Sequence, residues 1–224
     1  VFIKDNRERF LEYRNNKKLI GLVTLVLVIL VIGGFLFFKM FNKKNIPDKV
    51  IGDRPPIQVV LLNPNPYSRP QIPLKKVNGI VIHYTANPGT SAIKNRDYFN
   101  GLQYSKKTKA SSHFIVGLEG EIVQCIPCKE ISYASNSRNK DTISIECCIE
   151  DNTGKFNKKT YKSVVQLTAW LVGRYKLSCE DIIRHYDITG KICPKYFVEH
   201  PKAWEKFKND VQEYIDKNGV KTAE

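Results

Sequence analysis

The sequence predicts an α/β domain, a mixed central β-sheet flanked by α-helices, preceded by one transmembrane helix. Three observations predict it. Short apolar runs of strand length alternate with longer segments whose apolar residues recur at helical spacing. Two of the runs are joined by Glu119-Gly120, a hairpin signal that adds an antiparallel pair. Residues 19–38 carry no charge between Lys18 and Lys39.

The elements follow in order. Residues 1–18 are polar and read as a short cytoplasmic tail. Twenty helical residues at about 1.5 Å each reach about 30 Å, the hydrocarbon thickness of a bilayer, so 19–38 is expected to span one. The run is longer than a signal-peptide core, and Lys39-Met40-Phe41-Asn42-Lys43-Lys44 follows it in place of a small-residue cleavage site. Basic residues flank both ends, so charge gives little orientation. Seven of the 11 prolines fall between Pro47 and Pro73, which favours extended chain. Residues 39–56 are assigned to a proline-rich linker, 57–217 to the domain and 218–224 to a tail.

Ile57–Leu62 reads as a first short strand. Gly79–Tyr84 is a buried strand ending near His83. Ser91–Leu102 reads as a helix with Tyr98, Phe99 and Leu102 on one face. Ser111–Leu118 and Glu121–Ile126 form the hairpin. Thr142–Ile149 is a strand that turns Ser144, Glu146 and Cys148 to one side and Ile143, Ile145, Cys147 and Ile149 to the other. Tyr161–Tyr175 is an amphipathic helix, and Asp181–Arg184 a last strand. The turn formers Asp187, Thr189 and Gly190 suggest a loop after His185. Pro201 suits the first turn of a final helix with a Trp204, Phe207, Val211, Tyr214 stripe.

The chain holds 36 Lys and Arg against 22 Asp and Glu, a net charge of +14. Such a balance suits an anionic partner, whether nucleic acid, lipid headgroups or cell wall. No zinc-finger, RNP or helix-turn-helix signature accompanies it, so no nucleic-acid partner is expected. Six scattered cysteines do not make a disulfide scaffold. Cys125-Ile-Pro-Cys128 lacks the second pair or helix start of a metal or redox motif, and both are read as incidental.

His83 ends one strand, His185 follows another, and Cys193 lies just beyond. Two imidazoles and a thiolate suit zinc, and three protein ligands leave a tetrahedral position open for catalysis. A hydrolase also needs a base and a group for the oxyanion, and Glu146 and Lys191 are available. Spacing alone leaves open a solvated carboxylate at Glu146 and a surface cation at Lys191.

Three motifs carry a family resemblance: Gly79-Ile-Val-Ile-His-Tyr-Thr-Ala, Ser111-Ser-His-Phe-Ile-Val-Gly and Arg184-His-Tyr-Asp-Ile-Thr-Gly-Lys-Ile-Cys-Pro. They resemble the zinc N-acetylmuramoyl-L-alanine amidases, which include phage lysozyme-amidases and peptidoglycan recognition proteins. The resemblance implies Zn²⁺ on His83, His185 and Cys193, and Lys191 as oxyanion stabiliser. Where phage and recognition-protein members carry a Tyr before the motif histidine, this chain has Ser112. Cell-wall and recycling amidases use a Glu on the strand matched by Ser144-Ile-Glu-Cys, which makes Glu146 the general base. His113 is expected beside the site, shaping it without binding metal.

The expectation is a zinc amidase cleaving the bond between N-acetylmuramic acid and L-alanine in peptidoglycan. It is held at the cell membrane through 19–38, with its catalytic domain outside facing the wall. The alternative is a non-catalytic peptidoglycan-binding module, against which Cys193 speaks. A nucleic-acid-binding membrane protein would rest only on charge.

Overall fold

The computed structural model describes residues 9, 20, 23–34 and 46–221. The chain forms two units, 1–44 and 45–224, each taken by itself. In the first, 23–34 are helical with their large apolar side chains exposed. Among the described residues no helix is long and apolar enough to cross a membrane. The expected span 19–38 lies partly outside the described residues.

The second unit is built on a six-stranded mixed sheet. In chain order its strands are β2 (Gln58–Val59), β3 (Gly79–Tyr84), β4 (Phe114–Val116), β5 (Ile122–Gln124), β6 (Thr142–Cys147) and β7 (Ile182–Arg184). Their spatial order is β2-β5-β4-β6-β3-β7. β4, β6, β3 and β7 are parallel; β5 runs antiparallel to β4 and carries β2 alongside it in parallel. The hairpin closes where expected: Gly117 N–H donates to Glu121 O at 2.8 Å, and Gly120 takes φ 82°, a value that favours glycine. A separate ribbon pairs β1 (Lys49–Val50) with β8 (Val220–Lys221). It draws on residues assigned to the linker and the tail.

Two layers cover the sheet. On one face, Ile80, Ile82, Ile143 and Ile145 pack with α2 (Lys158–Arg174) and α5 (Pro201–Asn218). Asn157 caps α2, its side chain accepting from Thr160 N–H at 2.8 Å. The buried stripe of α5 is Trp204, Phe207, Val211 and Ile215, with Tyr214 at its margin. On the other face α1 (Ala92–Ser105), capped by Ser91, packs Ala92, Phe99 and Leu102 against Ile115, Val123 and Cys148.

The structure corrects two expectations. Tyr98 is 58% exposed, because the inward row of α1 is Ala92, Asn95, Phe99 and Leu102, and residue 98 lies at the outer flank of that row, 100° round the helix from Phe99. The segment after His185 is not a loop: Tyr186–Thr189 forms a helical turn, α3, with Gly190 at φ 76° ending it. Arg184 and Asp187, joined by an ion pair at 2.7 Å, brace that turn. A further short helix, α4 (Lys195–Glu199), precedes α5.

Candidate active site

His83 sits near the C-terminal end of β3, a strand buried on both faces. Alternation sends Ile80 and Ile82 to the α2 side and His83 to the other. β3 and β6 run parallel with His83 paired to Glu146, which sets imidazole and carboxyl side by side on one face. His185 follows β7, on the opposite flank of β3, its N–H directed at Ile82 O at 3.4 Å. Cys193 returns to the sheet because α3 reverses the chain and Tyr186 N–H donates to Cys193 O at 2.9 Å. Arg184 Nη1 ties the far side of the excursion by donating to Phe197 O at 3.0 Å. The Cys193–Pro194 peptide is cis.

Thus residues 102 positions apart in sequence meet at one point. The ligand atoms of His83, His185 and Cys193 lie within 4.8 Å of one another, and all three residues are buried. His83 Nδ1 is 3.8 Å from Cys193 Sγ. The outer nitrogens are held: His83 Nε2 lies 3.3 Å from Ser135 Oγ, and His185 Nε2 lies 2.9 Å from Asn136 Oδ1. An amide oxygen can only accept, so His185 Nε2 carries the proton and Nδ1 keeps its lone pair. The turn providing these partners is itself fixed, as Asn139 Oδ1 accepts from Ala134 N–H at 3.1 Å and Ser135 N–H at 2.6 Å.

The electrostatics match this arrangement. Burial, then the His185 and Lys191 charges, hold His83 well below the ordinary imidazole value. Burial, then the Lys191 charge, lowers His185 as well. Both rings are therefore neutral at pH 7. Burial, then the nearby Glu146 charge, pushes the Cys193 thiol up to about 12 against the opposing pull of Lys191. Burial pushes Glu146 up to about 8, again opposed by Lys191. Glu146 is partly open to the cleft, yet its Oε2 is sealed and has no hydrogen-bond partner. Lys191, exposed at the rim, completes a cleft of about 400 Å³ that also holds His83, His185, Cys193 and Glu146.

This donor set fits zinc: two neutral imidazole nitrogens and one sulfur, with no fourth side chain among the described residues to close the tetrahedron. The orphaned Glu146 oxygen beside it is an acceptor for a proton that the fold leaves unmatched.

His113 is apart from this group. Both its nitrogens are engaged, Nδ1 with Ser144 Oγ at 3.0 Å and Nε2 with Glu130 O at 2.9 Å. Burial brings its pKa down to about 4. Ser144 Oγ also meets Ser132 Oγ at 2.7 Å and Ser112 Oγ at 3.2 Å, so Ser112 belongs to a buried hydroxyl cluster behind the site. Sequence reasoning missed Ser135, Asn136 and Asn139. Their only signal is the polar turn Ser135-Asn136-Ser137-Arg138-Asn139 directly ahead of β6.

Known proteins bear on this geometry. Over 169 residues the chain is 38% identical to the N-acetylmuramoyl-L-alanine amidase CwlL of Bacillus licheniformis, covering 70% of this chain and 46% of that protein. It is 32% identical over 180 residues to the N-acetylmuramoyl-L-alanine amidase BlyA of Bacillus subtilis, covering 71% of this chain and 47% of that one. The chain thus spans about half the length of these relatives. The solved catalytic domain of XlyA superposes with a TM-score of 0.60 at 26% identity, covering 70% of this chain and 99% of that domain. The family model described as N-acetylmuramoyl-L-alanine amidase matches residues 73–196, a stretch that runs from ahead of His83 to just past Cys193 and takes in more than half of the chain. The chain therefore belongs to the N-acetylmuramoyl-L-alanine amidase family.

Proposed function

We propose that the protein is a zinc-dependent N-acetylmuramoyl-L-alanine amidase acting on peptidoglycan from a membrane anchor. The observation that carries the reading is the side-by-side placement of Glu146, with its unpartnered oxygen, and a buried His-His-Cys group. His83, His185 and Cys193 would hold the metal, which supplies Lewis acidity toward the amide carbonyl and the attacking water.

The remaining steps fall to the chain's own groups. Ser135 and Asn136 orient the two imidazoles. Glu146 accepts the proton of the water as its oxygen attacks the carbonyl carbon, and burial places the carboxyl where it can also give that proton up near neutrality. Lys191 brings positive charge to the rim where the carbonyl oxygen becomes anionic. Glu146 then protonates the leaving L-alanine nitrogen as the C–N bond breaks.

For location, we infer a single-pass anchor at 19–38 with the catalytic unit outside, facing the wall. Its support is the charge-free apolar run, the exposed apolar side chains of helical residues 23–34, and a substrate that lies outside the cytoplasm. Purified chain should release stem peptides with free L-alanine amino termini from wall fragments, lose that activity to a chelator and regain it with zinc. Loss of zinc without loss of activity refutes the metal reading. Protease added to intact spheroplasts should remove the catalytic unit; its survival until lysis refutes the orientation.

A further inference from the structure

The metal-bearing cleft opens at the C-terminal ends of β3, β6 and β7. The opposite pole of the sheet carries a second and larger cleft, of about 750 Å³. It lies between the approach to β3, the turn after β5 and the C-terminal end of α2. Its walls carry Arg54, Lys75, Lys76, Lys129, Arg174 and Lys176, and no Asp or Glu among the described residues lines it. All six cations are exposed.

Elsewhere on the unit several exposed cations are matched: Lys159 with Glu119, Lys195 with Glu199, Lys206 with Asp210, Lys208 with Glu180 and Lys217 with Glu213. None of the six cleft cations forms an ion pair with a carboxylate among the described residues. Two of them, Arg174 and Arg54, line the cleft together with Cys128. The Cys128 thiol is raised by burial and pulled back by a Tyr175 hydrogen bond, then by the charges of Arg174 and Arg54. Like charges gathered without counter-charge repel, so the fold bears a cost here that an anion would remove.

We propose that this cleft binds a linear phosphodiester polyanion, one negative charge per repeat, as a second and non-catalytic site. The number of cations exceeds what a single phosphate would neutralise, which points to a chain of charges. A bilayer surface fits less well, because Leu74 and Trp170 are 8% and 6% exposed and the half-buried Val77 and Pro127 leave little apolar surface to insert. Single-stranded nucleic acid fits less well too. Base stacking needs open aromatic faces, whereas Trp170 is buried beneath the Arg174 guanidinium, 5.1 Å from its ring centroid, and the half-buried Tyr175 has the same guanidinium 5.7 Å from its ring.

The test uses the full chain in a non-ionic detergent and fluorescently labelled poly(glycerol phosphate), with anisotropy read across salt. At about 0.7 counterions released per contact, six contacts give a log–log slope near −4, so binding should weaken about 250-fold between 50 and 200 mM salt. The triple variant Lys76→Ala, Lys129→Ala, Lys176→Ala should lower the slope by about 2, leaving about a 15-fold change over that range. These side chains are exposed and outside the catalytic cleft, so melting temperature and zinc content should not move. Unchanged affinity and slope in the triple variant overturn the proposal, as does failure of the wild-type chain to bind at 50 mM salt. Competition separates the sources. Phosphatidylglycerol micelles displacing the polymer at lower phosphate concentration would assign the cleft to a membrane surface. Single-stranded DNA of equal charge bound tenfold more tightly would assign it to nucleic acid. Either result overturns the polymer reading.

Discussion

Zinc binding should release close to two protons at pH 7, and the structure says where each comes from. Metal ligands must be deprotonated to bind. His83 and His185 are neutral in the metal-free protein and have none to lose. Cys193, pushed up to about 12, is fully a thiol and contributes one. Glu146 at about 8 is mostly a carboxylic acid at pH 7, and a divalent charge beside it favours the anion, so it contributes most of a second. These two groups supply close to two protons at pH 7, falling toward one at pH 9, where Glu146 is already ionised, and any proton lost by water at the open metal position adds to that count. Zinc affinity therefore rises with pH throughout this window. In Glu146→Gln the Glu146 share should vanish and release at pH 7 should fall by most of one proton, and in Cys193→Ser the thiol share should vanish, with weaker binding. Calorimetric titration in two buffers of different ionisation heat reads these numbers directly. Equal release from wild type and Glu146→Gln would refute the coupling of Glu146 to the metal, and wild-type release well below one would refute Cys193 as ligand. The same shift affects folding. A carboxyl raised from 4.5 to about 8 binds its proton more tightly when folded, so metal-free protein should lose stability as pH rises through that interval.

Three further outcomes are expected. Asn136→Ala, which removes the acceptor for His185 Nε2–H, should weaken zinc 10- to 100-fold, seen by competition with a chromophoric chelator, while thermal stability in the metal-free state changes little. Glu146→Gln and Lys191→Met should keep zinc and bind wall fragments, yet lose about 10²–10⁴-fold and about 10²–10³-fold in kcat respectively; near-normal kcat in Glu146→Gln removes it from the mechanism. Ser144→Ala leaves the His113, Ser132 and Ser112 polar atoms short of a partner and should cost about 1–3 kcal/mol of unfolding free energy, whereas a melting temperature equal to wild type would show the cluster to be dispensable.

The parts of this protein that were legible in its sequence are those written in local pattern. The buried run of β3, the alternation of β6, the apolar stripes of α2 and α5 and the Pro201 start of α5 each follow from neighbours a few residues apart. Glu146 was legible as a face of a strand, but its pairing with His83 was not, because parallel register is set by packing across 62 intervening residues. Tyr98 misled because two adjacent aromatics in a helix cannot both face inward, and bulk does not say which one does. Thr189 and Gly190 suggested a loop, yet one helical turn forms where Arg184 and Asp187 can brace it. Ser135 and Asn136 were invisible as functional residues, since a polar turn has the same composition whether or not it holds a histidine.

The β1–β8 ribbon has a mechanical consequence. It contains only two residue pairs, Lys49 with Lys221 and Val50 with Val220. Val50 lies against α2 at Gly173, where a Cβ would come within 2.9 Å of it, so the ribbon sits at the pole away from His83 and Glu146. Tension on the chain upstream of Lys49 meets these two rungs, the Val50 contact on α2 and the Lys49 hydrogen bond to Asp216 O before it reaches β2, the next strand along the chain. The strand carrying His83 comes later in the chain than both the ribbon and β2, so both stand between such a pull and the site.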